Sequence, residues 1–161
     1  MDYNRKLAES LLVAMKNEIR VIELYTKSVD CQISEESRTK IKNVTADEKR
    51  HLDMLNSMFG KKIGRRIDRE KLSSDSLKSI SKLSEDSSPL HLLDLANGYE
   101  EREYEHYKKA IEEFKDDNDL KKMFLHLVKD EEAHLEILVK ERKAILGQPF
   151  DDFELDLYVR E

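Results

Sequence analysis

The chain contains four glycines, two prolines, one cysteine and no tryptophan, and these scarcities narrow the architectures open to it. So few turn formers cannot punctuate the many short strands of an all-β domain, and they fall almost wholly outside the periodic segments, so an all-α protein is expected. The single cysteine, Cys31, permits no internal disulfide and no four-thiolate metal centre within these residues, and it suits a reducing cytosol. Apolar runs stop at about five residues, whereas a membrane helix needs about 20. The opening MDYNRKLAES carries acid and amide residues ahead of a short apolar stretch, unlike a secretion signal. A cytoplasmic protein without membrane association is therefore expected. Basic residues are not concentrated either: the net charge is −6, and Lys and Arg are spread along every segment, which leaves no footprint for nucleic acid.

What the chain does have is charge, at 40% of its 161 residues, and a persistent helical period. The length suits one domain with one core. From Asn4 to Cys31 the residues Leu7, Leu11, Ala14, Glu18, Val21, Tyr25 and Val29 alternate spacings of four and three, as one face of a helix requires. From Glu35 to Phe59 the same pattern runs through Ile41, Val44, Glu48, His51, Leu55 and Met58, with Gly60 expected as a left-handed C-terminal cap. A third helix opens with Ser88 as N-cap and Pro89 at its first position and runs to about Phe114 through Leu93, Ala96, Glu100, Glu103, Tyr107 and Ile111. A turn at Asp116, Asp117, Asn118 and Asp119 leads into a fourth, through Leu120, Phe124, Leu127, Glu131, His134 and Leu138, closed by Gly147 before Pro149. Two hairpins, 4–59 and 89–147, thus flank a Ser-, Lys- and Arg-rich crossover at 60–88, with a short helix expected around Leu72 to Leu83. Residues 1–147 form the bundle and 148–161 a short C-terminal extension. At up to ~3.3 Å per residue the crossover can travel the ~37 Å of a 25-residue helix, so the third helix can start at the opposite end from the second.

The hairpins are copies of one another. Shifting the first half by 82 or 83 positions lays Leu11 on Leu93, Ala14 on Ala96, Val44 on Leu127 and Leu55 on Leu138. The same shift lays Asp47-Glu48-x-x-His51 on Asp130-Glu131-x-x-His134 and the pair Glu18, Tyr25 on Glu100, Tyr107. In an antiparallel hairpin, residues equally far from the turn share a height. The midpoint of Glu18 and Glu48 is position 33, inside the first turn; that of Glu100 and Glu131 falls between 115 and 116, at the edge of the second. At about 100° per residue each histidine lies about 60° from its glutamate and one turn along, so each pair faces inward together.

A core of four or five glutamates without counter-charge would be strongly destabilising, because desolvating each carboxylate costs several kcal/mol and like charges raise one another's pKa. Two divalent cations would balance the charge and let carboxylates bridge. Oxygen and nitrogen donors in this combination suit transition metals, iron above all, with manganese or a mixed pair as alternatives. Glu103, one turn beyond Glu100, can reach the same centre or remain exposed in its acidic run. Tyr25 and Tyr107 can donate hydrogen bonds to ligand carboxylates or serve as plain core aromatics. Asp47 and Asp130 lie on the histidine side of their glutamates, and a crossed arrangement is expected, Asp47 to His134 and Asp130 to His51, each orienting an imidazole. His106 points about 120° away from Glu100 and is expected on the surface; His91 and His126 are given no role.

A repeated Glu-x-x-His on helices two and four, lone glutamates with partner tyrosines on one and three, and a long middle crossover resemble the ferritin-like diiron-carboxylate proteins. With the extra Glu103 the chain resembles the rubrerythrins among them, over about residues 5–146. The resemblance implies a ferritin-like four-helix bundle with Glu18, Glu48, His51, Glu100, Glu103, Glu131 and His134 as ligands of two iron ions, and Glu48 and Glu131 as bridges. It also implies reduction of hydrogen peroxide, with an iron moving between His51 and Glu103 as the redox state changes. One departure is clear: rubrerythrins usually carry a rubredoxin domain with paired cysteines, so a separate rubredoxin-like donor is expected here. The alternatives are a ferroxidase that oxidises iron with dioxygen for storage and a non-catalytic metal- or partner-binding bundle. A homodimer or larger homo-oligomer is expected, with hairpins paired within a chain or exchanged between two. Phe153, Leu155 and Leu157 of the tail would pack on their own bundle, a partner or a second subunit.

Overall fold

Four α-helices account for most of the residues described in this computed structural model, which are 2–31, 33–72 and 87–147. They are α1 (Tyr3–Ser28), α2 (Glu35–Ile63), α3 (Pro89–Glu113) and α4 (Asn118–Leu146), and a single 3₁₀ turn at Arg69–Lys71 follows α2. Three of the helices begin with a side-chain cap. Ser34, Ser88 and Asp117 accept hydrogen bonds from the backbone N–H groups of Ser37, His91 and Leu120, each at 3.1 Å, satisfying donors that the first helical turn leaves without partners. Pro89 follows its cap directly, where the missing N–H costs nothing.

The inward faces are those of the period. Leu7, Leu11, Ala14, Glu18, Val21 and Tyr25 of α1 are buried, as are Leu120, Phe124, Leu127, Glu131, His134 and Leu138 of α4. Some expectations shift at the edges: Val29, Ile41, Met58, Leu93 and Ile111 are half-buried, and Leu92 rather than Leu93 is the buried leucine at the start of α3. α2 does not stop at Phe59. It continues through Gly60 to Ile63, and Gly64, at φ 105°, is the left-handed cap. Gly60 has a different task, because a Cβ there would lie 2.9 Å from Cγ of Arg66, so its lack of a side chain admits the chain returning from the cap. Of the short helix expected around Leu72 to Leu83, residues 73–83 lie outside the described residues, as does the tail at 148–161.

Contacts across the bundle define its topology. Tyr25 meets Glu100 and Tyr107 meets Glu18, so α1 and α3 run antiparallel; Asp47 meets His134 and Asp130 meets His51, so α2 and α4 do too. α1 packs on α2 and α3, α4 packs on α3, and of the adjacent pairs α2 and α4 approach each other least. Such an up-down-down-up order requires the crossover between α2 and α3 to span the bundle's length. No helix among the described residues is long and apolar enough to cross a membrane.

The apolar core is divided. One cluster gathers Leu11, Met15, Leu55, Phe59, Phe114 and Phe124, and the other Val21, Leu24, Val44, Leu92, Ala96 and Leu138. Between them lie the buried acidic and imidazole side chains.

At the α3–α4 turn Asp117 caps α4 and pairs with Lys62 at 2.8 Å. Lys62 holds its carboxyl below the usual range, and the capping N–H of Leu120 adds to the effect. A group depressed in the folded state stabilises fully above its unfolded pKa and loses that contribution as pH falls through the folded one. Asp117→Ala is therefore expected to cost about 1 kcal/mol in urea unfolding at neutral pH, a deficit that shrinks as both proteins are taken into acid.

Candidate metal centre

Each helix delivers its polar side chains to the centre by continuing its apolar stripe: Glu18 from α1, Glu48 and His51 from α2, Glu100 and Glu103 from α3, Glu131 and His134 from α4. The five carboxylates are 0% exposed and the two imidazoles no more than 2%. Nδ1 of His51 lies 3.3 Å from Glu18, 3.2 Å from Glu48 and 3.2 Å from Glu131. Nδ1 of His134 lies 2.9 Å from Glu48, 3.5 Å from Glu100 and 3.6 Å from Glu131. The two rings are 5.9 Å apart between centroids. Donor atoms thus converge in two groups, Glu18, Glu48, His51, Glu131 and Glu48, Glu100, Glu131, His134, each within 4.8 Å and sharing Glu48 and Glu131.

Around this layer the partners cross between the halves. The hydroxyl of Tyr25 donates to Glu100 at 2.7 Å and that of Tyr107 to Glu18 at 2.5 Å, so each tyrosine serves the glutamate of the other hairpin. Nε2 of His51 meets Asp130 at 2.8 Å and Nε2 of His134 meets Asp47 at 3.0 Å. An ionised aspartate only accepts, so these contacts place a proton on Nε2 of each ring and turn Nδ1, the site that a cation or a second proton would occupy, toward the carboxylates. Each aspartate has an outer partner as well: Asp47 pairs with Arg50, and Asp130 lies 3.3 Å from Nε2 of His126. The sequence reading gave His126 no role; its four-residue spacing from Asp130 was the available signal.

Whether these residues suit a bound cation is decided by the atoms left over. Among the described residues, eight buried side-chain atoms make no well-aligned hydrogen bond, and all belong to this layer: one oxygen each of Glu18, Glu48 and Glu100, both of Glu103 and Glu131, and Nδ1 of His134, which approaches Glu48 without donor geometry. Buried polar atoms are ordinarily satisfied, so a cluster of lone pairs aimed at a common space fits positive ions. The mixed oxygen and imidazole donors suit a pair of transition metals. Titration behaviour agrees. Burial, then repulsion from Glu18, raises the pKa of Glu48; burial, then Glu48 and Glu131, raises that of Glu100 well above the usual range. Burial and four neighbouring carboxylates do the same to Glu103. Burial lowers the pKa of His134, but Glu100, Glu131 and Glu48 outweigh it and push it up to about 12. His51 is raised likewise, burial being overcome by Glu131, Glu18 and Glu48. Anionic surroundings this strong favour any cation that enters.

Of the two places open to Glu103 the structure takes the inner one: it is fully buried in the layer, though it belongs to neither four-residue group. One placement departs from the sequence reading. His106 is not a surface residue: it is half-buried, with Nε2 2.9 Å from the carbonyl oxygen of Ser10, because that face of α3 packs on α1. Its burial lowers its pKa. His91 is exposed.

No protein-family model matches the sequence, and neither does any curated protein. Solved structures do. A hypothetical protein from Pyrococcus furiosus superposes with a TM-score of 0.73 at 23% identity, over 88% of this chain and 90% of that one. A structure described as ferritin-like, diiron-carboxylate proteins, from Bacillus anthracis, superposes with a TM-score of 0.70 at 21% identity, over 88% and 99%. These likenesses show the fold, a ferritin-like four-helix bundle.

Tyr107→Phe removes a buried donor from Glu18 with little change of shape. It is expected to lower unfolding free energy by about 1–3 kcal/mol, read from urea titrations followed by circular dichroism.

Proposed function

We propose that this protein is a dinuclear iron oxidoreductase that reduces hydrogen peroxide with electrons from a separate rubredoxin-like donor. The observation that carries the reading is the pair of four-residue donor groups sharing Glu48 and Glu131, with a further buried carboxylate, Glu103, whose two oxygens have no partner. The diiron-carboxylate description of the Bacillus anthracis neighbour supports it. Iron held there would supply the two electrons that, with two protons, convert one peroxide to two waters.

The chain's own residues have definable parts. Glu18, Glu48 and Glu131 with His51 would hold one ion, and Glu48, Glu100 and Glu131 with His134 the other. Asp130 and Asp47 keep the imidazole protons on Nε2, so that Nδ1 is available as a ligand. Tyr25 and Tyr107 fix one oxygen of Glu100 and of Glu18 by hydrogen bonds, leaving the second oxygen of each free to coordinate. Glu103 is the one carboxylate of the layer outside both groups; burial and its four carboxylate neighbours raise its pKa, and its two unpartnered oxygens face the same layer. The two apolar clusters on either side exclude bulk water.

The decisive measurement compares oxidants. Protein loaded anaerobically with two ferrous ions per chain is expected to oxidise faster with stoichiometric peroxide than with air, followed by its visible absorption, and to turn over peroxide when a reductant is added. Faster oxidation by air would defeat the peroxidase reading, and inertness to both would leave a structural metal site.

Asp130→Asn keeps the size of the side chain but removes the charge on the proton of His51. Loss of such a partner lowers metal affinity by about 10–100-fold. Manganese titration by calorimetry should show one of the two ions weakened by that factor; two unchanged ions would deny Asp130 this role.

A further inference from the structure

Where the α1–α2 connection meets the start of α3 and the end of α4, the bundle contains a partly open cavity of about 150 Å³. It lies on the side where α2 and α4, the adjacent helices that approach least, face each other. At this end they are tied by a polar bridge, in which Ser37 Oγ donates to Glu141 at 2.6 Å and Lys40 Nζ donates to the same carboxylate at 2.5 Å. Behind the bridge the walls are aliphatic, with Ile33, Ile41, Val44, Leu93 and Ile137 among them. Tyr25 adds its ring, its hydroxyl being turned away to Glu100.

We propose that this cavity binds a small neutral apolar molecule, of the size of a benzene ring or a short alkyl chain. The chemistry of the rim selects that class. Ser34, Ser37, Lys40 and Glu141 already satisfy one another, with Ser37 Oγ also 3.0 Å from Ser34 Oγ, so a charged or strongly polar ligand finds its partners taken. Volume selects the size: about 150 Å³ accommodates a benzene ring or a xenon atom, and the aliphatic inner wall offers a competing water molecule no hydrogen bond. Position makes the occupant consequential. It packs against the ring of Tyr25, whose hydroxyl holds Glu100, so an apolar molecule is set beside the carboxylate layer by a single shared side chain. Binding itself requires no metal and does not rest on the peroxidase reading.

The test uses the full chain with labelled isoleucine methyl groups, titrated with benzene and followed by NMR. Saturable shifts are expected at Ile33, Ile41 and Ile137, with none at Ile19 and Ile22, which belong to the other apolar cluster. Xenon under pressure is expected to compete for the same methyl groups. Val44→Phe and Ile137→Phe, checked for folding by circular dichroism, should each weaken benzene binding at least tenfold by filling the space. Absence of saturable shifts, shifts spread equally to Ile19 and Ile22, failure of xenon to compete, or unchanged affinity in a folded filled variant would each overturn the proposal. So would a response that arises only after residues 148–161 are removed, since the cavity would then belong to the chain's own C-terminal segment.

Discussion

Five carboxylates buried in one layer impose a condition that the rest of the molecule has to meet. Desolvating a single ion of this kind costs several kcal/mol, and a whole domain is stable by only roughly 5–15 kcal/mol. Glu18, Glu48, Glu100, Glu103 and Glu131 cannot all remain as bare anions at 0% exposure. Protons on some of them, imidazolium at His51 and His134, and metal cations are the available remedies. The raised pKa values of Glu48, Glu100, Glu103 and both histidines express the first two. The eight buried atoms that make no well-aligned hydrogen bond point to the third.

The fold is organised around keeping that layer at one height. Apolar clusters at either end hold the helices in register, and the antiparallel pairing of α1 with α3 and α2 with α4 brings the two halves face to face. A consequence is that support is exchanged. Each tyrosine and each aspartate serves a group from the other hairpin, so neither hairpin completes its own surroundings. The two sides are nevertheless unequal: Arg50 stands behind Asp47 and the partly exposed His126 behind Asp130, while Glu103 has no counterpart, since Val21 occupies the equivalent place.

Much of this was readable in one dimension. The inward stripe of α4 is buried residue for residue, because a side chain's direction on a helix depends only on its number and a period. Glu18 and Glu48 could be placed at one height by counting from the turn for the same reason. Readings that depended on neighbouring elements fared worse. Gly60 looked like a helix end, yet α2 runs on to Gly64, and the reason for Gly60 is Arg66 arriving from the returning chain. His106 pointed away from the centre as expected, but that direction is occupied by α1 and Ser10 rather than by water. His126 was passed over although Asp130 lies one turn away.

Period, repeat and symmetric spacing about two turns determine that these are two like hairpins with six acidic and imidazole side chains directed inward. All of that follows from local geometry, which the order of residues carries. Which hairpin partner each tyrosine and aspartate reaches, that Glu103 stands inside the layer yet outside both donor groups, and that a cavity opens beside Tyr25 are set by the distances and rotations between helices. Those arise from packing all four together, a property of the sum of contacts that no single segment encodes.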